Sequence, residues 1–210
     1  AGFERKWDQN ENSKFSKFFR RRTKEIFGQI EVGDPDFEEW VSRYPLKRQE
    51  VLRAARTKEL RPESFFSKMF VKDEAYLDKT PETQKPRKIE AREDEFLARY
   101  GPWFWKATKS IKKVLHSRSK HFYTAGSDKE QIGEWFDQCC GQKIIEIDYS
   151  NWDGSMTPWD LQNEIWFIDN IFVDKPPEWE TLRANWKVMR ATSNGVTYVT
   201  FFGRRSGNPW

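Results

Sequence analysis

Two aspartates that follow a short apolar segment are the first residues in this sequence that could do chemistry. Asp148 ends the isoleucine-rich run 143–148, and Asp153 comes five residues later. A strand that delivers a carboxylate at its end can hold a divalent cation such as Mg²⁺, and phosphoryl transfer needs such cations at the attacking and leaving oxygens. The spacing therefore predicts a metal-binding Asp148, with Asp153 past a tight turn and facing a sugar hydroxyl. A polar turn that caps a helix is the alternative.

Four cations surround a predicted pair of strands earlier in the chain. They are Lys72, Lys85, Arg87 and Lys88. The apolar run 64–71 predicts one strand and residues 87–91 predict the return strand. Lys and Arg neutralise a triphosphate, and Arg can bind two of its oxygens at once. The pattern favours a nucleotide-binding strand pair, with an exposed charged hairpin as the alternative. Three acids lie among the cations and are expected to orient them: Asp73, Glu74 and Glu90.

A glycine-rich turn is the third candidate site. Residues 202–209 include Gly203, Ser206 and Gly207. Glycine lets the backbone approach a ligand closely, and the hydroxyl of Ser206 could bind a ribose or a template strand. An ordinary turn is the alternative for this segment.

A strand and a helix are expected to position the two aspartates. The run 143–148 is short and rich in β-branched residues, which predicts a strand. Thr157, Pro158 and Asp160 predict the start of a helix, because they supply a capping hydroxyl, a proline at the first helical position and an acid three residues after the cap. The prolines at 176–177 are expected to end this helix. Its apolar stripe is Leu161, Ile165, Ile168 and Phe172.

The remaining pattern indicates an α+β fold. The first ~65 residues are predicted to be mainly helical. Residues 93–116 are predicted to be helical with an interruption at 101–102, which are Gly and Pro, and Asn194-Gly195 predicts a hairpin turn. Helices and strands do not alternate as β-α-β, so the order favours α+β. The apolar positions of the first helix are Phe15, Phe18, Phe19 and Ile26, and those of the second are Val51, Leu52 and Ala55.

The composition predicts a folded domain with local basic surfaces. Charged residues make up 33% of the 210 residues, yet there are 11 tryptophans, which is not typical of disorder. The formal net charge is only +4, but basic residues cluster in 14–24, 43–58 and 106–120. Such clusters are typical either of a nucleic-acid surface or of solvated helix faces.

Several other classes of site are not predicted. Cys139 and Cys140 are adjacent, and neighbouring cysteines rarely form a disulfide with good geometry. His116 and His121 belong to no Cys/His cluster, so a zinc site is not expected. No run of 18 apolar residues occurs, so no membrane-spanning helix is predicted.

Taken together and in this order, the three candidate sites resemble one family, the RNA-dependent RNA polymerases of positive-strand RNA viruses. The segment FVKDE…KPRKIEA, at about 70–91, is similar to motif F of that family. The segment IDYSNWDGS, within about 144–157, is similar to motif A, and GRRSGNPW, at about 203–210, is similar to the opening of motif B. The similarity is closest to tombusvirus-like and nodavirus-like enzymes, and it covers roughly residues 40 to 210.

The resemblance implies a right-hand polymerase fold. Residues 1–143 would form the fingers region with motif F, and residues 144–210 would form the entry to the palm with motif A and the start of motif B. Asp148 would bind the catalytic metals, and Asp153 would read the 2′-hydroxyl of the incoming nucleotide. Ser206 and Gly207 would shape the loop that holds template and nucleotide. The candidate triphosphate contacts are Lys72, Lys85, Arg87 and Lys88.

The same resemblance implies the cofactor, the partners and the location. Mg²⁺ or Mn²⁺ would be the cofactor, in two-metal phosphoryl transfer. The partners would be template and product RNA and ribonucleoside triphosphates. The enzyme would act in the host cytoplasm, at a viral replication complex.

One departure from the family pattern concerns the second metal-binding carboxylate. The Gly-Asp-Asp motif that supplies it in the family is absent from the 210 residues. The chain is therefore expected to be a truncated fragment that is inactive alone.

Two other functions are compatible with parts of the sequence. A reverse transcriptase would share the palm and Asp148, but Asp153 stands where a bulky residue would block the 2′-hydroxyl. A non-enzymatic viral RNA-binding protein would explain the basic clusters and the aromatic residues, but it gives no reason for the paired aspartates.

Overall fold

The structure is a computed structural model that describes residues 14–72, 88–118, 121–143, 145–148, 156–186, 188–193 and 195–201. Within these ranges, helices dominate and four strands form one sheet, in agreement with the predicted α+β class. The helices are α1 Lys14–Phe27, α2 Phe37–Val41, α3 Leu46–Arg56, α4 Asp94–Arg118, α5 Lys129–Gln138, α6 Pro158–Ile171 and α7 Trp179–Trp186, with a short 3₁₀ helix at Pro62–Phe65. The strands are β1 Ser67–Val71, β2 Lys88–Arg92, β3 Val188–Ser193 and β4 Val196–Phe201.

Helix α4 is the central element of the hydrophobic core. Its residues Phe96, Tyr100 and Trp103 are at most 2% exposed and pack in one cluster with Ile168 and Ile171 of α6. Apolar burial of this kind is the main favourable contribution to folding. Burial also raises the pKa of the Tyr100 hydroxyl well above its ordinary value. The core therefore ties α6 to α4.

The predicted interruption of α4 at Gly101 and Pro102 is wrong. The helix runs through both residues, and Pro102 is fully buried within it. Gly101 is required by packing instead, because a Cβ atom there would lie 2.5 Å from the ring of Trp40. A glycine in a helix can thus mark a close contact as well as a break.

A second cluster packs α2 and α3 against α4. Trp40, Val41 and Leu52 are almost fully buried there, beside Ala98 of α4. The prediction that Val51 shares this face is wrong, since its side chain is 45% exposed. Residues 51 and 52 are adjacent on a helix and point about 100° apart, so only one of them faces the core.

Helix α1 forms where predicted, but its buried positions differ from the predicted apolar stripe. Phe15 and Phe18 are 61% and 52% exposed, whereas Ser16 and Thr23 are buried. Ser16 lies under the indole of Trp159 in α6, whose Nε1 donates a hydrogen bond to the Ser16 hydroxyl at 2.8 Å. Because the large indole of Trp159 packs against α1 at Ser16, α1 needs a small residue at this position.

Helix α6 begins as the sequence predicts. The Thr157 hydroxyl accepts a hydrogen bond from the Asp160 amide, and the Asp160 carboxylate accepts one from the Thr157 amide at 2.9 Å. This capping box satisfies backbone donors that the first helical turn leaves free.

Helix α6 ends at Ile171, ahead of the prolines at 176–177. The next residue, Phe172, pairs with Ile30. The backbone amide of Ile30 donates to the Ile171 carbonyl oxygen at 2.8 Å.

The sheet has the strand order β2-β1-β3-β4. Strands β1 and β2 are antiparallel, as are β3 and β4, and β1 lies parallel to β3. The predicted hairpin at Asn194-Gly195 is confirmed, and Gly195 has a φ of +80°, which favours glycine. In the described ranges, no helix has the length and apolarity needed to cross a membrane.

Candidate active site

The predicted strand pair of the four cations is present. Val71 of β1 pairs with Lys88 of β2, and Ser67 pairs with Arg92 at the other end of the ladder. Lys72 follows directly after β1 and its side chain is exposed. The structure therefore brings Lys72 and the backbone of Lys88 to the same end of the strand pair. Lys85 and Arg87 lie outside the described residues, as do Asp73 and Glu74.

Glu90 of β2 has a buried side chain. Its side chain is 1% exposed, and its Oε1 accepts a hydrogen bond from the hydroxyl of Tyr198 at 3.1 Å. Burial raises the pKa of Tyr198 to about 12, and the neighbouring Glu90 carboxylate adds to this shift. This contact could not be predicted from local sequence, because the two residues are 108 positions apart in the chain.

The bond between Glu90 and Tyr198 links the two edge strands of the sheet. Tyr198 stands opposite Ala191 in β3, and Ala191 stands opposite Ser67 in β1. The Tyr198 side chain reaches over these two central strands to Glu90 in β2. The strand pair β1/β2 and the hairpin β3/β4 are thereby held together by a side-chain contact as well as by the backbone.

Arg92 anchors the end of β2 to the core. Its guanidinium donates to the Phe65 carbonyl oxygen at 3.2 Å and lies 4.2 Å from the centroid of the Phe96 ring. Cation–π contacts of this kind stabilise the position of a partly buried arginine. Arg92 therefore connects the strand pair to the first turn of α4.

The hairpin β3/β4 leads directly into the predicted glycine-rich turn. β4 ends at Phe201, and β3 runs beside β1. The sheet thus places the strand pair beside the hairpin that precedes Gly203, with the exit of β4 at the end of the sheet opposite to Lys72. Ser206 and Gly207 themselves lie outside the described residues.

Asp148 is exposed, but the strand predicted to carry it is absent from the described part of this segment. Residues 145–148 have no regular secondary structure, and Ile145 and Ile147 are each 72% exposed. A strand is stabilised by hydrogen bonds to a neighbouring strand, and none of the four described strands pairs with this segment. The strand prediction is therefore wrong for 145–148. Asp153 lies outside the described residues.

A metal site requires several donor side chains that lie close together. The described residues contain no group of three or more His, Cys, Asp or Glu side chains that could hold an ion. Mg²⁺ is often held by one or two carboxylates together with substrate phosphates. The exposed carboxylate of Asp148 fits one such ligand, so the donor chemistry of this segment is compatible with a divalent cation.

The family of the chain follows from comparison with known proteins. Residues 36–209 match the viral RNA-dependent RNA polymerase family. The chain belongs to this family. No curated protein and no solved structure matched it.

The matched range of the viral RNA-dependent RNA polymerase includes almost all of the three candidate sites. The strand pair, both aspartates and Ser206 all fall within residues 36–209. The family resemblance predicted from these sites is therefore confirmed. Membership favours the polymerase over the reverse transcriptase and over a non-enzymatic RNA-binding protein.

Proposed function

We propose that this chain is part of the RNA-directed RNA polymerase that replicates the genome of a positive-strand RNA virus, of the tombusvirus-like or nodavirus-like group. The observation that carries the proposal is the match of residues 36–209 to the viral RNA-dependent RNA polymerase family. In the shared sheet, β1 lies parallel to β3. This pairing sets the segment that resembles motif F beside the hairpin that leads into the segment resembling motif B. The chain leaves β4 at the end of the sheet opposite to Lys72, because β4 runs antiparallel to β3.

The proposed fold is a right hand, with residues 1–143 in the fingers and residues 144–210 at the entry to the palm. The long helix α4 and the strand pair β1/β2 would belong to the fingers, and the hairpin β3/β4 would be a segment that returns through the fingers before Ser206. Helix α6 would hold the C-terminal end of the aspartate segment in place, because its capping box fixes the backbone from Thr157 onward. The proposed setting is the host cytoplasm, at a viral replication complex.

Asp148 is proposed to be a ligand of Mg²⁺ or Mn²⁺. The bound cations would stabilise the negative charge on the attacking and leaving oxygens during phosphoryl transfer. The exposure of Asp148 supports this role, because a carboxylate in solvent can reach both an ion and the substrate phosphates. Asp153 is proposed to accept a hydrogen bond from the 2′-hydroxyl of the incoming nucleotide and thereby to select ribose.

The cations of the strand pair are proposed to bind the triphosphate. Lys72 is exposed at the end of β1, where a flexible ammonium can follow the phosphates. Arg87 directly precedes β2 and could bind two phosphate oxygens through its planar guanidinium. Lys85 and Lys88 would add to the positive potential at this end of the ladder. Ser206 and Gly207 are proposed to hold the template and the nucleotide from the opposite side.

The metal-binding role is tested by Asp148→Ala in a polymerase preparation that is active in RNA synthesis. Template-directed incorporation of ribonucleotides with Mg²⁺ or Mn²⁺ should fall to background, and Mn²⁺ binding measured by electron paramagnetic resonance should weaken. Asp137→Ala is the matched control, because Asp137 is an exposed aspartate at the end of α5. Full activity of the Asp148→Ala enzyme would show that the site is misplaced.

A further inference from the structure

A pocket lies between the C-terminal half of α4, the segment 121–128 and α5. It has a volume of about 810 Å³, within the range of roughly 300–1,000 Å³ that is typical of ligand sites. None of the residues proposed for metal or triphosphate binding is part of its described lining. Its wall combines aromatic rings with polar side chains, so it differs in character from the apolar core.

Three aromatic rings form a stacked column in the wall of this pocket. The imidazole of His116 in α4 lies 4.7 Å from the Phe122 ring, with 7° between their planes. Phe122 in turn stacks on Trp135 of α5 at 5.7 Å and 22°. Among the described residues, Phe122 is the only ring that stacks on His116, which is itself exposed. The opposite face of the imidazole can therefore take a further flat ring.

Hydrogen bonds hold this column in place. The backbone amide of Tyr123 donates to His116 Nε2 at 3.4 Å, which fixes the orientation of the imidazole. The ammonium of Lys112 in α4 donates to the Ser127 hydroxyl at 2.7 Å and to the Ala125 carbonyl oxygen at 3.1 Å. These bonds tie the segment 121–128 to α4. The stacking surface is thus formed before a ligand binds, which lowers the entropic cost of binding.

The polar side chains of the pocket are accessible to a molecule inside it. Three carboxamides and one carboxylate line the wall from exposed positions, and they belong to Gln131, Gln138, Gln142 and Glu134. A carboxamide both donates and accepts hydrogen bonds. The edge of a nucleobase carries donors and acceptors side by side, so it matches such side chains.

Lysines adjoin the lining residues of the pocket. Lys113 is exposed and lies three positions before His116, which places the two side chains as neighbours on the surface of α4. Lys143 is exposed and directly follows Gln142. A cation beside a stacking ring suits a base that carries a phosphate, because the ring binds the base and the ammonium binds the phosphate.

We propose that this pocket binds an unpaired base of single-stranded RNA. The base stacks on the open face of His116, its polar edge meets the glutamine side chains, and its phosphate meets Lys113. The choice of RNA as the ligand rests on the proposed polymerase function. The test measures binding without RNA synthesis, so its failure is distinct from a failure of the Asp148→Ala test.

The test uses a labelled oligoadenylate of about ten nucleotides and an abasic RNA of the same length as its matched partner. The abasic RNA keeps the sugar–phosphate backbone but has no base that could stack. The affinity of each probe for the protein is measured by fluorescence anisotropy at one salt concentration. The wild-type protein should bind oligoadenylate about tenfold more tightly, which is the size of one base–aromatic stack.

Substitutions assign this difference to the pocket. His116→Ala should lower the affinity for oligoadenylate about tenfold and leave the abasic probe almost unchanged. His116→Phe keeps a flat ring and should retain the preference for oligoadenylate. Lys113→Ala should weaken both probes by a similar factor, since phosphate binding does not depend on the base. Phe18→Ala is the control, because Phe18 is an exposed aromatic residue of the basic helix α1 that is not part of the described lining.

Four results would overturn the proposal. They are equal wild-type affinity for the two probes, an unchanged oligoadenylate affinity in His116→Ala, an equal loss in Phe18→Ala, and displacement of the labelled RNA by an equal concentration of adenosine monophosphate. The third result would indicate unspecific binding by exposed rings, and the fourth would assign the pocket to a free nucleotide. If His116→Ala does not fold, the exposed Lys113→Ala replaces it, and unchanged binding of both probes would contradict the site.

Discussion

At the residue scale, Asp153 is proposed to distinguish ribose from deoxyribose. A carboxylate that accepts a hydrogen bond from the 2′-hydroxyl is left unpaired when a deoxynucleotide binds, and this raises the free energy of the wrong complex. Asp153→Ala should therefore relax the preference for ribose as well as slow the reaction. The measurement is kcat/KM for a ribonucleotide and its deoxy analogue, with Asp137→Ala as the control. An unchanged ratio between the two substrates would contradict the assignment.

Tyr198 and Glu90 give a second prediction at this scale. Tyr198→Phe leaves the buried Glu90 carboxylate without one of its hydrogen bonds, which should cost roughly 1–3 kcal/mol of unfolding free energy. Urea denaturation at pH 8 checks this value. A loss within the error of the measurement would mean that the contact contributes nothing to stability.

The same pair predicts a pH dependence. The pKa of Tyr198 is raised from 10.0 to about 12 in the folded protein, so the folded state holds this proton more tightly than the unfolded state does. Its stabilisation is fully present below pH 10 and is lost as the pH rises through about 12. Tyr100 contributes in the same direction, so the difference between wild type and Tyr198→Phe isolates Tyr198. The difference in unfolding free energy between wild type and Tyr198→Phe should therefore decrease as the pH rises from 10 to about 12.

At the element scale, two helical glycines should respond oppositely to alanine. Gly101→Ala in α4 places a Cβ atom 2.5 Å from Trp40, and this overpacking should cost about 1–3 kcal/mol. A Cβ atom added at Gly133 in α5 would have no other atom within 4 Å. Gly133→Ala should therefore raise the free energy of unfolding by up to about 1 kcal/mol. Thermal unfolding of both variants checks the signs. A stabilised Gly101→Ala would refute the packing explanation.

The strand pair should bind nucleotide through its loop end. Arg87→Ala is expected to raise KM for ribonucleoside triphosphates and to lower turnover while leaving the fold intact, since an exposed cation contributes little stability. Lys68→Ala is the control, because Lys68 lies in β1 with its side chain 76% exposed and 3.4 Å from Glu93. Equal kinetics in the two variants would argue against triphosphate binding at Arg87.

At the scale of the whole molecule, part of the basic cluster 43–58 forms ion pairs with acidic residues of other elements. Arg48 pairs with Asp94 at 2.6 Å, Arg53 with Glu38 at 2.8 Å and Lys58 with Glu95 at 3.4 Å. The Arg53 guanidinium also lowers the pKa of Glu38 through their hydrogen bond. Three basic side chains of the cluster 43–58 therefore pair with acids of neighbouring elements, a use that the sequence could not separate from RNA binding.

RNA binding should accordingly be weak and should depend on salt. Each phosphate that a lysine or arginine neutralises releases a counterion, so affinity falls as salt rises. Fluorescence anisotropy with a labelled single-stranded RNA between about 50 and 200 mM salt measures the slope. Arg53→Ala should change this slope less than a substitution of the exposed Lys47 on the same helix. An affinity independent of salt would contradict binding through the basic surfaces.

The sequence by itself determined the elements that depend on local signals. The capping box at Thr157, the hairpin at Gly195 and the strand pair around Lys72 follow from neighbouring residues, so their positions could be predicted. The order of the three candidate motifs also identified the family. Each of these features is encoded within a few residues, or by simple order along the chain.

Only the tertiary structure decided the features that join distant residues. One is the close approach of Trp40 to Gly101 of α4, and another is the hydrogen bond from Tyr198 to the buried Glu90. The irregular backbone before Asp148 differs from the predicted strand because strand formation requires a partner, which local β propensity cannot supply. A pocket lined by residues of α4 and α6 likewise exists only once these two helices pack. Long-range packing overrides local pattern at each of these places.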